Sequence, residues 1–164
     1  MKGKKLYILF TLIVLLFSLI GCKKEALKQA PYFEIKDLNG NVRRLTDYKG
    51  KRLLLIFWGS WCPTCKDILK SLNEKVQELK SKNIEILAVS VDESENKAIE
   101  VLKEYNLNNL VVAIATPQML IDYEGIRFLP TSYLIDGTTG TVIKKYIGEV
   151  NLREIESLTL TTSK

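Results

Sequence analysis

Residues 53–58 are the feature that most limits what this chain can fold into. Their sequence is Leu-Leu-Leu-Ile-Phe-Trp, six apolar residues without a polar interruption. Such a run is typical of a strand that is buried on both faces of a sheet. Residues 63–80 follow closely and carry apolar side chains at helical spacing, among them Ile68, Leu72 and Val76. A buried strand that leads into an amphipathic helix predicts an α/β domain.

The rest of the chain shows the same alternation of strands and helices. Strands are expected at residues 84–91, 110–115, 131–135 and 141–147, and helices at 94–105, 117–123 and 151–158. Residues 32–36 and 42–45 flank an Asn-Gly turn and are predicted to form a β-hairpin. Asn151 is expected to cap the last helix. The pattern therefore predicts a sheet that is covered by helices on both faces.

The first 21 residues have the composition of an export signal. Three lysines precede an apolar run over residues 6–20. As a helix this run would be roughly 22 Å long, shorter than the roughly 30 Å hydrocarbon layer. It ends at Leu-Ile-Gly-Cys, which resembles the lipobox of bacterial lipoproteins. We therefore expect a lipoprotein signal peptide over residues 1–21 and lipidation of Cys22, with an uncleaved membrane anchor as the alternative.

The net charge of the chain belongs largely to this leader. The sequence has 24 basic and 19 acidic residues, and three of the basic residues lie before Cys22, so the net charge falls from +5 to +2 on cleavage. A nearly neutral domain gives little support for binding to nucleic acid. Residues 22–30 are short and polar and are predicted to be a tether, so the folded domain is assigned to residues 31–164.

The absence of histidine restricts the chemistry that this chain can perform. No His occurs among the 164 residues, which excludes Ser-His-Asp and Cys-His catalysis and any zinc site with histidine ligands. A zinc site would need four ligands, and with Cys22 lipidated only two cysteines remain. We therefore expect no metal site.

The candidate chemistry lies in the sequence WCPTC at residues 61–65. Cys62 and Cys65 are one helical turn apart and can form a disulfide. Pro63 suits the first turn of a helix, so Cys62 lies at the positive end of the helix dipole. Cysteines in that position have pKa values of roughly 3.5 to 7.5. We predict that Cys62 is the nucleophile and that Cys65, which is more shielded, is the resolving thiol. A purely structural disulfide is the alternative, although so small a loop yields little stabilisation.

These residues resemble the TlpA/ResA/CcmG family of membrane-tethered thiol-disulfide oxidoreductases. Besides WCPTC, the similar features are DYKGK at residues 47–51, SVD at 90–92 and FLPTSYLID at 128–136, and the resemblance covers residues 31–158. It implies a thioredoxin-like fold with a central mixed β-sheet flanked by helices. It also implies an N-terminal β-hairpin and an inserted helix and strand between residues 94 and 115.

The resemblance further implies a groove for the substrate. In this family the proline that matches Pro130 follows a cis peptide bond and lies against the active-site cysteines. We assign the groove to Trp61, Pro63, Thr64, Leu129 and Pro130. Among the aromatic side chains, Trp61 is expected at the surface as a substrate contact, with packing under the active-site loop as the alternative. The others near the site are expected in the core or the groove: Trp58, Phe128 and Tyr133.

Two positions depart from the family pattern. Thioredoxins carry a buried Asp six residues before the first cysteine, where this chain has Ile56, and ResA-like and CcmG-like proteins carry a Glu three residues after the second, where it has Ile68. Both usual proton acceptors are therefore absent. Asp67 points roughly 200° away from Cys65 around the helix and is a poor substitute. Lys66 could favour a thiolate by charge, but a solvated role is expected.

We therefore predict a thiol-disulfide oxidoreductase that reduces disulfides of client proteins outside the cytoplasm and is anchored by lipid in a bacterial cell envelope. The Cys62/Cys65 pair carries two electrons, so no dissociable cofactor is expected. A membrane reductase must recharge the pair because the compartment is oxidising. The WCPTC form occurs in cytochrome c maturation members, which makes apocytochrome c a candidate client. We expect a monomer without nucleic acid.

Two other functions remain open from the sequence. One is a thiol peroxidase of the peroxiredoxin type, although the Pro-x-x-x-Thr-x-x frame of those enzymes is not found before Cys62. The other is a lipoprotein binding or redox-sensing module in which the disulfide is structural.

Overall fold

The computed structural model describes residues 28–160. The predicted signal peptide over residues 1–21 and the predicted lipidation of Cys22 lie outside the described residues. Within residues 28–160, no helix is both long and apolar enough to cross a membrane.

Seven strands and four α-helices alternate along the described chain. Their bounds are β1 Glu34–Lys36, β2 Val42–Arg44, β3 Arg52–Trp58, α1 Pro63–Ser81, β4 Ile84–Ser90, α2 Glu95–Glu104, β5 Val111–Ile114, α3 Pro117–Asp122, β6 Thr131–Asp136, β7 Thr141–Ile147 and α4 Leu152–Leu160. Every strand and helix predicted from the sequence is present. The side chain of Asn151 accepts the Glu154 N–H at 3.2 Å, which confirms the predicted cap of α4.

Five of the strands form one mixed sheet in the order β5-β4-β3-β6-β7. Strands β3, β4 and β5 are parallel, whereas β6 is antiparallel to both β3 and β7. Strands β1 and β2 form a separate antiparallel hairpin. The predicted mixed sheet with an N-terminal hairpin is confirmed, and β5, which follows the inserted α2, forms one edge of the sheet.

Strand β3 lies in the centre of the sheet and contributes to two separate cores. Leu54, Ile56 and Trp58 pack on the face that is covered by α1, α2 and α4. The alternate residues Leu53, Leu55 and Phe57 pack on the other face, with β1, the helix α3 and Tyr123. All of these β3 side chains are fully buried. The uninterrupted apolar run is thus explained by burial on both faces.

The N-terminal boundary of the domain differs from the prediction. Residues 28–30 were assigned to the tether, but they pair with the start of β7: the Ala30 N–H donates to Gly140 O at 2.8 Å, and the Val142 N–H donates to Lys28 O at 2.8 Å. The reason is that β7 is an edge strand, whose outer backbone groups need partners. Residues 28–30 are therefore part of the folded domain, and the rest of the predicted tether lies outside the described residues.

A short 3-10 helix over Leu45–Tyr48 was not predicted. It follows β2 directly and carries the chain toward β3. Its last residue lies against the turn after β6, where a Cβ on Gly137 would lie 2.0 Å from the carbonyl oxygen of Tyr48. Position 137 therefore has no room for a side chain.

Candidate active site

The WCPTC segment lies where β3 ends and α1 begins. Strand β3 ends at Trp58, and Cys62 is the N-cap residue of α1, with an extended backbone and Pro63 in the first helical turn. The Cys62 N–H donates to Gly59 O at 3.1 Å, which closes a turn over residues 59–62. The strand direction and the turn together place both cysteines at the carboxyl end of the central strand.

Cys62 and Cys65 form a disulfide, with their Cα atoms 5.2 Å apart. The Cys62 Sγ also accepts the Cys65 N–H at 3.2 Å and lies 3.4 Å from Thr64 Oγ1. Both groups would stabilise negative charge on this sulfur, as does the N-terminal end of the α1 dipole. The arrangement suits a Cys62 thiolate after reduction.

The two cysteines differ in their access to solvent. Cys62 is 8% exposed and Cys65 is 0% exposed. Cys62 is less accessible in the disulfide form than the sequence suggested, because the turn over residues 59–62 and α1 close around it. The order of accessibility nevertheless agrees with an attacking Cys62 and a shielded Cys65.

The surroundings of Cys65 are apolar. Ile56, at the position of the thioredoxin acid, is fully buried in the same core as Cys65. Ile68, at the position of the ResA-type acid, is only partly buried and packs against the edge of this core. Asp67 is exposed and its carboxylate lies 3.8 Å from the Lys70 ammonium, which agrees with the prediction that it points away from Cys65. Lys66 points toward α2, with its Nζ 5.6 Å from the centre of the Tyr105 ring.

The predicted groove residues come from two neighbouring segments. Trp61, Pro63 and Thr64 are exposed around the turn into α1. The Leu129–Pro130 peptide bond is cis, as the resemblance implied. Pro130 comes directly before β6, whose first residue pairs with Phe57 of β3, so it lies beside the end of β3. Leu129 is half-buried and Pro130 is buried, so only part of the predicted groove is open to a client.

The aromatic side chains near the site differ in exposure. Trp61 is 62% exposed, whereas Trp58 and Tyr133 are buried, as expected. Phe128 is 65% exposed and therefore lies outside the core, so that a place in the groove stays a prediction for this side chain. Phe128 lies in the irregular segment between α3 and β6.

Trp61 is held over the preceding turn. A Cβ on Gly59 would lie 3.0 Å from the Trp61 indole ring. Any side chain at position 59 would therefore press against the indole. The glycine thus permits the close approach of Trp61 to the backbone beside Cys62.

A hydrogen-bond network behind the turn was not recognised from the sequence. Asp92 follows β4 and is almost completely buried. Its carboxylate accepts the Ser60 N–H at 3.0 Å, the Ser60 Oγ–H at 2.7 Å and the Ser90 Oγ–H at 2.6 Å. Ser90 Oγ in turn accepts the Asp92 N–H at 3.0 Å. The sequence SVD at residues 90–92 was noted only as a similarity to relatives, and nothing local linked it to Ser60.

A cavity of about 370 Å³ adjoins the first turns of α1. Thr64, Ile68 and Leu72 line it from the helix, and Glu149, Val150 and Leu152 line it from the segment after β7. Thr64 follows Cys62 by two positions, so the cavity lies close to the disulfide in sequence. Its lining includes both apolar and carboxylate groups.

Three comparisons identify relatives of this chain. A family model described as AhpC/TSA family matches residues 26–155. The thiol-disulfide oxidoreductase ResA of Bacillus cereus is 38% identical over 134 residues, which are 82% of this chain and 76% of the relative. ResA of Bacillus subtilis is 32% identical over 158 residues, which are 90% and 87% of the two chains.

Among solved structures, the exposed lipoprotein thioredoxin of Streptococcus pneumoniae superimposes with a TM-score of 0.68 and 29% identity over 79% of this chain and 98% of that one. The resemblance that the WCPTC motif suggested is thereby confirmed, as is the thioredoxin-like fold. The chain belongs to the AhpC/TSA family, and within it this enzyme is a thiol-disulfide oxidoreductase related to ResA.

Proposed function

We propose that this enzyme reduces disulfides of client proteins outside the cytoplasm, with Cys62 as the attacking thiol and Cys65 as the resolving thiol. The observation that supports the proposal is the pairing of a slightly exposed cysteine, 8% accessible at the amino end of α1, with a fully buried cysteine one turn later. The first position favours a thiolate, and the second protects the resolving thiol from other reagents.

The reaction transfers two electrons from the dithiol to the client. The Cys62 thiolate attacks one client sulfur, the client S–S bond breaks, and the leaving client thiolate takes up a proton. Cys65 then loses its proton and attacks Cys62 Sγ, which releases the second client thiol and leaves the Cys62–Cys65 disulfide. The pair itself carries the electrons, so no dissociable cofactor enters the scheme, and a membrane dithiol reductase would restore the reduced form.

Trapping of mixed disulfides tests these roles. Cys65→Ser should accumulate client adducts through Cys62, whereas Cys62→Ser should not, and the double variant is the matched control. Non-reducing gels followed by identification of the adducts supply the measurement. Equal trapping by both single variants would contradict the assignment. Faster oxidation of the reduced enzyme by a hydroperoxide than by a disulfide would favour the peroxidase alternative.

The proposal includes a lipid anchor at Cys22 in a bacterial cell envelope. The lipobox-like sequence supports it, as does the likeness to a solved structure described as an exposed lipoprotein. Lys28, which pairs with β7, follows Cys22 by six positions, so the anchor would hold this residue within roughly 20 Å of the bilayer. Apocytochrome c is the proposed client, on the WCPTC motif, and the enzyme is proposed to act as a monomer.

The intact mass of membrane-extracted protein tests the anchor. We expect a chain that begins at Cys22 and carries acyl chains. The Cys22→Ala variant should be released or misprocessed while its purified domain keeps full disulfide reductase activity. A chain that retains Met1, or one without acyl mass on Cys22, would show that the lipoprotein assignment is wrong.

A further inference from the structure

Asp92 is a buried carboxylate whose partners carry no charge. The two nearly buried aspartates of the described chain are Asp37 and Asp92. Asp37 pairs with the Arg43 guanidinium at 2.7 Å. Within residues 28–160, Asp92 has no ion pair with Lys or Arg, and its oxygens meet only a backbone N–H and two hydroxyl groups. A buried charge without a cation lowers the stability of the folded state, so we expect Asp92 to have a functional role.

The Asp92 carboxylate lies close to the dithiol. Two of its three hydrogen bonds go to Ser60, which is inside the turn that the Cys62 N–H closes on Gly59. Ser60 precedes Cys62 by two residues, so chain geometry places the carboxylate within roughly 10 Å of Cys62 Sγ. The charged side chains on the adjoining turn of α1 have other neighbours: the Lys66 Nζ lies 5.6 Å from the centre of the Tyr105 ring, and the Asp67 carboxylate lies 3.8 Å from the Lys70 ammonium.

We propose that Asp92 is a positioning residue for Cys62, which fixes the turn over residues 59–62 and, through its unpaired negative charge, makes the dithiol a stronger reductant. This inference rests on the redox role that we propose for Cys62. A buried negative charge repels the Cys62 thiolate and opposes the stabilisation that the α1 dipole supplies. The reduced form is then less stable relative to the disulfide, so the pair gives up electrons more readily.

The Asp92→Asn variant removes the negative charge but can keep the hydrogen bonds. The amide oxygen can accept from the Ser60 N–H and the Ser90 hydroxyl, and the amide nitrogen can donate to Ser60 Oγ once that hydroxyl rotates. At a separation of roughly 10 Å in a partly buried site, removal of the charge should shift the equilibrium with glutathione about tenfold toward the reduced dithiol. A tenfold shift corresponds to a potential about 30 mV less reducing.

Glu93→Gln is the matched control for this measurement. It removes the same charge at the next residue, which is exposed to solvent. We expect its glutathione equilibrium to stay within about twofold of wild type, because solvent screens exposed charges. A tenfold shift in Asp92→Asn with none in Glu93→Gln supports the proposal. An Asp92→Asn equilibrium within twofold of wild type, or an equal shift in both variants, overturns it.

Ser60→Ala tests positioning separately. It keeps the Asp92 charge and the backbone N–H bond but removes the hydroxyl bond of 2.7 Å. The reduced variant should show slower attack of Cys62 on a model disulfide peptide by several-fold, with a glutathione equilibrium within twofold of wild type. An unchanged rate would overturn the positioning role, even if Asp92→Asn failed to fold. If the proposed function itself is wrong, wild type and Glu93→Gln will also fail to reduce the peptide, which distinguishes the two failures.

Discussion

Ile68→Glu should restore a proton acceptor to the active site and speed the resolving step near pH 7. Cys65 must lose its proton in an apolar place, where burial disfavours the thiolate. Ile68 lies one helical turn after Cys65 on the same face of α1, and its side chain lines the cavity of about 370 Å³. A carboxylate at position 68 would have space and partial contact with solvent on its cavity side, and it would face Cys65 on its other side.

The structure sets the magnitude of the effect on stability. Ile68 is only partly buried, so loss of its apolar contacts should cost about 1 to 1.5 kcal/mol, half of the value for a fully buried side chain. Ile56→Asp, at the other acid position of the family, should cost several kcal/mol, because Ile56 is fully buried and its cross-strand neighbours are Ala88 and Ser132. Urea unfolding of the two variants measures this difference.

The cavity also sets the protonation behaviour of the new side chain. Glu149 and Asp67 line the same cavity, and their negative charges should raise the pKa of a glutamate at position 68 toward neutrality. Resolution at pH 7 should then be faster by about tenfold, less than an evolved general base achieves. In wild type the rate should instead follow the Cys65 thiol alone and rise into the alkaline range.

Single-turnover reduction of a model disulfide peptide over a pH series is the assay. Ile68→Gln is the matched control, because it has the same shape and cannot titrate. Equal acceleration by Ile68→Gln would show that polarity rather than proton transfer is responsible. A wild-type profile that already contains a near-neutral carboxylate titration, unchanged by Ile68→Glu, would show that another group accepts the proton and would refute the reasoning.

Other substitutions test the fold and the surface around the site. Trp61 is exposed, so Trp61→Ala should slow reduction of a peptide client and change the free energy of unfolding by less than about 0.5 kcal/mol. Trp58 is buried, so Trp58→Ala should lower the free energy of unfolding by about 3 to 5 kcal/mol, measured with urea. Gly137→Ala should lower the free energy of unfolding by about 3 kcal/mol, because the new Cβ would lie 2.0 Å from a backbone oxygen. A melting temperature equal to that of wild type would contradict this contact. Hydrogen bonds from Lys145 and Lys28 lower the pKa of Glu124 to about 2. Because solvent screens these exposed ion pairs, Glu124→Gln should lower the free energy of unfolding by less than about 1 kcal/mol at neutral pH. The stability difference between wild type and Glu124→Gln should disappear as the pH falls from about 4.5 toward 2, because the lysines stabilise Glu124 only while its carboxylate is ionised.

The amino-acid sequence alone predicted every strand and α-helix of the described chain, and it identified the two cysteines that form the disulfide. The apolar run over residues 53–58 indicated a doubly buried strand because side-chain periodicity is a local property. The position of Cys62 before Pro63 indicated a thiol at the amino end of a helix, since capping is also local. The absence of acids at Ile56 and Ile68 was equally visible, and the structure shows apolar side chains at both positions.

Tertiary structure decided which distant residues meet. Pairing of Trp58 with Ser90 brings the end of β4 beside the active-site turn, and only this register places Asp92 on Ser60. Residues 28–30 pair with β7 because β7 lies at the edge of the sheet and has free backbone groups on its outer side. Strand order and register are set by the burial of the whole sheet, so contacts between segments far apart in sequence leave no local periodic signal.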